Sequence, residues 1–99
     1  MNFVQIVEYE TDRPEELRAV MNRRRDEAMA AGGPPPFTQL IVTQDRDKPE
    51  RYLTIIEFPS YEEAMNNSNR PETDAMAKEF SSYCTRGPFY HNLDVLDRA

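Results

Sequence analysis

Four short runs, 3–10, 37–44, 51–58 and 89–96, mix Val, Ile, Leu, Phe and Tyr with polar residues in the manner of half-buried strands. Between the first two the period lengthens. Leu17, Val20, Met21 and Ala28 fall on one side of a helix predicted from Pro14 to about Ala31, with Glu15, Arg18, Asn22, Arg25 and Asp26 opposite. Pro14 suits the first helical turn, and Gly32 or Gly33 suits the stop. The run Pro34–Pro36 stiffens the approach to the second strand. The polar turn from Asp45 to Glu50 joins strands two and three as a hairpin.

Ser60 followed by Glu63 has capping-box spacing and opens a second helical region. Asn66–Pro71 is poor in helix formers, and Pro71 breaks the helix there. A fresh helix is predicted from Pro71 to about Tyr83, burying Met76, Phe80 and Tyr83 or Cys84.

The second half of the chain repeats the first. Val4-Gln5-Ile6-Val7-Glu8-Tyr9 returns as Leu53-Thr54-Ile55-Ile56-Glu57-Phe58, and Pro36-Phe37-Thr38-Gln39 returns as Pro88-Phe89-Tyr90-His91. A strand–helix–strand unit used twice gives β-α-β-β-α-β, a ferredoxin-like α+β domain over 1–99 with an antiparallel-rich four-stranded sheet.

Helices cover one sheet face in this arrangement, and the other should be polar if it meets water. The alternation instead predicts two apolar sets. One holds Phe3, Val7, Tyr9, Phe37, Ile41, Tyr52, Ile56, Phe58 and Phe89; the other holds Val4, Ile6, Leu40, Val42, Leu53 and Ile55. Leaving the second set in water forfeits on the order of 10 kcal/mol per chain. A homodimer packed sheet against sheet is the expected remedy, making an α+β barrel.

Charge narrows the partners. A formal net charge of −6 leaves no basic face for nucleic acid or an anionic membrane surface. No apolar run is long enough to span a bilayer, and no signal-peptide profile opens the chain. The lone Cys84 fits a reducing cytoplasm, and neither metal-ligand spacing nor a cofactor motif is present.

Three stretches carry a resemblance to a known group: Phe3-Val4-Gln5-Ile6-Val7-Glu8, Glu57-Phe58-Pro59-Ser60-Tyr61-Glu62-Glu63-Ala64-Met65, and Phe89-Tyr90-His91-Asn92-Leu93-Asp94-Val95-Leu96. They make the chain similar to the dimeric α+β barrel superfamily, and in layout to its antibiotic biosynthesis monooxygenase-like domains. The resemblance implies the fold and a homodimer. It fixes no reaction, because that superfamily spans cofactor-free oxygenases, haem degraders, isomerases, cyclases and proteins without known activity. The haem-degrading branch typically uses a strand Asn, a helix Trp and a helix His. Here Gln5 occupies the strand position, Trp is absent and the one His lies in a predicted strand, so that branch is disfavoured.

The repeat also proposes a site. Gln5 is equivalent to Thr54 by the repeat, and Gln39 to His91; all four interrupt apolar strand positions on what should be the helix-facing side. Buried polar groups need partners, and a ligand between sheet and helices is one way to supply them. Direct hydrogen bonds across the sheet are the other. Tyr52, Tyr83 and Tyr90 would orient ligand oxygens or simply fill core, and Asn67 lies in the stretch that would rim the pocket.

His91 can exchange protons near neutral pH. It is a candidate general base for a phenol or enol, a neutral imidazole bonded to Gln5, or a surface side chain, and no carboxylate is evident in sequence to orient it. Glu8 and Glu57 are expected on adjacent parallel strands toward the dimer side, either as a close acidic pair or in water or against Arg side chains. Arg23–Arg25 is expected to be a solvated helix surface with Arg24 over the apolar stripe, and Cys84 lacks a neighbour to activate it as a nucleophile.

These features describe a cytoplasmic, cofactor-free homodimer that binds a small apolar or aromatic molecule. As an enzyme it would be a cofactor-independent monooxygenase acting on an aromatic or polyketide-like substrate. An isomerase or cyclase transferring protons, and a non-catalytic dimeric interaction module, are the alternatives.

Overall fold

The computed structural model describes residues 1–32 and 35–99, so the expectations for Gly33 and Pro34 lie outside the described residues. In chain order the elements are β1 (Phe3–Glu10), α1 (Pro14–Ala30), β2 (Gln39–Gln44), β3 (Arg51–Phe58), α2 (Tyr61–Ser68), α3 (Pro71–Ser82) and β4 (Arg86–Asp94). The fold is ferredoxin-like, with the second helical region in two pieces. The strands form one sheet in the order β2-β3-β1-β4, and each neighbouring pair is antiparallel.

Local chemistry explains the boundaries. Pro14 stands in the first turn of α1 with Glu15 and Glu16, where acidic groups favour the positive end of the helix dipole. Past its C-cap, Gly32 takes a positive φ of 87°, the backbone state in which glycine commonly stops a helix. The Ser60 side chain accepts a hydrogen bond from the Glu63 backbone N–H at 3.1 Å and so starts α2. Arg70 is extended, as a residue before proline should be, and this extended link separates α2 from α3. Two strands differ from expectation at their ends. Phe37 and Thr38 lie before β2, although the Thr38 N–H still donates to the Glu57 carbonyl at 2.8 Å. β4 begins at Arg86 and ends at Asp94, because Gly87 and Pro88 enter the sheet through a register shift opposite Glu8–Glu10. Gly87 has a φ of 85°, and the Gly87–Pro88 peptide is cis.

The buried apolar residues Phe3, Val7, Tyr9, Leu17, Val20, Phe58 and Ala64 lie between sheet and helices. Phe3 packs against Phe58 and edge-on to Tyr61; Tyr9 stacks on Tyr52 and meets the Phe80 ring edge-on. Met65 packs on the first group, and Met21, Phe80, Tyr83 and Cys84 on the second. Arg23 and Arg24 do more than coat a wet surface. Both donate to Glu79 and tie α1 to α3.

Cross-strand register assigns the faces, since directly paired residues point the same way. Phe3, Gln5, Val7 and Tyr9 face the helices with their partners Phe58, Ile56, Thr54 and Tyr52. Val4, Ile6 and Glu8 face away, with Glu57, Ile55 and Leu53. Two strands sit one residue out of phase with the sequence-based sets. Ile41 pairs with Ile55 and Phe89 with Glu8, which puts both on the open face. Leu40 and Val42 pair with Ile56 and Thr54 and so face the helices. Side-chain direction has period two, so a single-residue offset exchanges the faces of a whole strand. The open face is nonetheless apolar, with Ile41, Phe89 and Leu93 each more than 40% exposed.

Candidate functional site

The four polar residues proposed from the repeat do not converge. Gln5 and Thr54 share the helix side, whereas Gln39 and His91 lie on the open face, paired with Glu57 and Ile6. Two strands, β3 and β1, separate Gln39 on β2 from His91 on β4. The cause is the same one-residue phase of β2 and β4, which the repeat cannot report because it aligns residues without fixing which strand neighbours which.

On the helix side, Gln5 Nε2 donates to Asn92 Oδ1 at 3.0 Å rather than to Thr54. This amide pair leaves Gln5 Oε1 as an acceptor and Asn92 Nδ2 as a donor beside one another. Tyr90, opposite Val7 on the same side of β4, is 50% exposed because the helices do not cover it. Burial of the rest of the ring pushes its phenol above the ordinary tyrosine value, so it is a neutral O–H group near pH 7. Tyr52 is held flat against Tyr9. Tyr83 lies under the Arg13 guanidinium at 4.6 Å, and its carbonyl accepts from the Thr11 hydroxyl. Asn67 Oδ1 accepts from the Thr73 hydroxyl at 3.5 Å across the α2–α3 junction. Tyr52, Tyr83 and Asn67 therefore have protein partners of their own. Burial pushes Cys84 up to about 11, which overrides any help from Arg86 and leaves an inert thiol.

The open face contains a polar chain invisible in sequence. His91 Nε2 lies 3.1 Å from Glu8 Oε1, Arg51 Nε donates to Glu8 Oε2 at 3.1 Å, and Arg51 Nη1 donates to Asp45 Oδ2 at 2.8 Å. A carboxylate does orient His91. The two residues are 83 apart in sequence and become diagonal neighbours only through β1–β4 pairing. Arg51, then His91, holds the Glu8 carboxyl below its ordinary value. Glu57 is likewise lowered, first by Arg98 and then by Asn2. Glu8 and Glu57 form no acidic pair, because β1 and β3 run antiparallel and place Glu8 opposite Leu53 and Glu57 opposite Val4.

Two depressions open to solvent lie away from the Gln5–Asn92 pair, one at the β2–β3 turn by Gln44–Arg46, where it meets the open-face chain at Asp45, and one at the start of α1 by Asp12–Glu16. Among the described residues, no group of three or more His, Cys, Asp or Glu could hold a metal ion, and no helix is long and apolar enough to cross a membrane.

No family model matches the chain, and no curated protein is similar to it in sequence. Solved structures are similar in fold. A Caulobacter crescentus CB15 protein, provisionally assigned as an antibiotic biosynthesis monooxygenase, superposes with a TM-score of 0.79 at 11% identity, over 97% of this chain and 91% of that one. SnoaB of Streptomyces nogalater, a cofactor-independent oxygenase, gives 0.77 at 14% identity over 98% and 95%. Rv0793 of Mycobacterium tuberculosis gives 0.74 at 17% identity over 100% and 99%. Near-complete coverage at such low identity means that the arrangement is shared where the side chains are not. The chain has the ferredoxin-like α+β fold of the antibiotic biosynthesis monooxygenase-like proteins.

Proposed function

We propose that this chain is a cytoplasmic homodimer that binds a small, largely apolar molecule, aromatic or polyketide-like, on the helix side of its sheet and oxygenates it without a cofactor. The uncovered strip of β4 carries this reading: a half-exposed Tyr90 ring beside the Gln5–Asn92 amide pair. An aromatic ring can lie against Tyr90, while Asn92 Nδ2 and Gln5 Oε1 meet a carbonyl and a neighbouring hydroxyl. The likeness in fold to a cofactor-independent oxygenase supports the class of reaction.

His91 takes no part in this site, since it sits on the opposite face of the sheet. The substrate must then be acidic enough to ionise with only water or the neutral Tyr90 phenol beside it, as an enolised ketone or an electron-poor phenol is. Its enolate gives electrons to dioxygen. A CH₂ group and O₂ become a carbonyl and water, and that balance needs no outside reductant.

Native mass spectrometry after exposure to an extract of the protein's own cytosol tests the binding, and oxygen uptake with the captured molecule tests the reaction. We expect a dimer with one discrete adduct per chain, weakened about tenfold by Asn92→Ala through loss of a hydrogen bond. His91→Ala should leave the adduct in place. A dimer that captures nothing refutes the site, and capture without oxygen uptake moves the chemistry to proton transfer.

A further inference from the structure

The open sheet face has a charge pattern unlike the rest of the molecule. Its paired carboxylates and cations are equal in number but unevenly shared: Glu57 has Arg98, Glu10 has both Lys48 and Arg86, and Glu8 and Asp45 divide Arg51 between them, so a surplus at Glu10 offsets a deficit at Glu8. These four acids and four bases sum to zero, so the whole excess of −6 lies on other surfaces. Between the charged ends run Ile6, Ile41, Ile55 and Leu93. Elsewhere two copies of this acidic chain repel one another; only here does a self-complementary, apolar and electrically balanced surface meet its own image.

We infer that the Glu8–His91 pair links association of two copies through this face to a proton, so that the dimer tightens as the pH falls through the histidine range. The inference rests on the dimer in the proposed function and adds its regulation. His91 is half exposed among apolar neighbours, with Ile6 opposite it and Phe89 and Leu93 two residues away on its own strand. The charged groups facing it are few. β1 supplies Glu8, with Glu10 one step further; β3 supplies Arg51 behind Glu8; the β2–β3 turn supplies Asp45; and β4 itself carries only Arg86, turned toward Glu10.

With His91 neutral, Glu8, Asp45 and Arg51 carry one uncompensated negative charge. With His91 protonated the group is neutral. Sealing the face strips water from Glu8, and an unbalanced charge without water is more unfavourable than a balanced ion pair. Association therefore takes up a proton on each His91. The tightening is complete at pH values where His91 is already charged in the free chain. It disappears as rising pH removes the proton from the associated one.

Sedimentation velocity over a concentration series tests this at about pH 6 and about pH 8, at constant ionic strength, a window in which histidine is the side chain that ordinarily titrates. The wild type should have a dissociation constant at least about tenfold lower at the lower pH, one of the roughly four decades that two linked protons could supply over that span. His91→Gln should bind equally at both, and Glu8→Gln should lose the tightening, because its uncharged amide leaves no excess charge to cancel. If the dimer is too tight to dilute apart, subunit exchange between ¹⁵N-labelled and unlabelled copies, followed by native mass spectrometry, should show a half-time at least about tenfold longer at about pH 6. A dimer of pH-independent affinity, or a His91→Gln variant with the wild-type dependence, overturns the proton linkage and leaves the dimer standing. A monomer at every pH and concentration overturns both.

Discussion

Gly87 shows how much a single position can decide here. Its φ of 85° is one that residues with a side chain rarely adopt, and a β-carbon built on it would lie 2.8 Å from the Glu8 carbonyl oxygen. Both objections fall where β4 shifts register against β1, two residues before Phe89 and four before His91. Gly87→Ala should therefore destabilise the fold by about 1–3 kcal/mol, read from urea denaturation midpoints. It should also disturb the Glu8–His91 contact, visible as a change in the His91 ring signals by NMR. The residue scale is also where sequence reading fell furthest short. Glu8, Arg51 and Asp45 are unremarkable in the chain as charged strand and turn residues. Only pairing of β1 with both β3 and β4 gathers them around His91. Gln5 and Thr54 face the helices because each shares the phase of buried neighbours on its own strand.

Elements were more legible than the contacts between them. The helix period, Pro14, the Ser60 cap and the break before Pro71 all act within a few residues, and each appears in the structure where local chemistry puts it. Ser60→Ala removes the hydrogen bond to the Glu63 N–H and should lower stability by about 1 kcal/mol, measured by chemical denaturation. Glycine at that position should recover most of the loss, because the effect is local. Strand phase is different in kind. Whether Leu40 or Ile41 faces the helices is decided by how the chain enters and leaves the preceding connection, and neither residue is more apolar than the other. The apolar character of both sheet faces survives this ambiguity. Exchanging two such residues alters which face each fills and leaves both faces hydrophobic.

For the molecule as a whole, the ion pairs set its response to acid. The carboxyl groups of Glu8, Asp45, Glu57 and Glu79 all lie below their ordinary values. Arg51 leads at Glu8, the Asp47 backbone N–H at Asp45, Arg98 at Glu57 and Arg24 at Glu79. A carboxylate lowered by folding contributes stability that is full above its unfolded value and is lost as the pH falls through its folded one. In the His91→Gln variant, where the proton linkage of the dimer is absent, the urea midpoint should hold steady from neutrality down to about pH 5 and then decline below about pH 4, within the range where ordinary Asp and Glu begin to protonate. Glu79→Gln should blunt the decline, and high salt should blunt it further, since exposed pairs are screened. The sheet order has another consequence, one of time. Of the four strands of this sheet β1 is synthesised before the others, yet it lies between β3 and β4, and its partner on one flank is the latest of the four. While the chain emerges, β1 can pair only with β3, and its second edge stays open until residues 86–94 are free. Contacts of such long sequence separation favour slow, cooperative closure. The interval before β4 docks is when this chain is most exposed to pairing with the wrong strand.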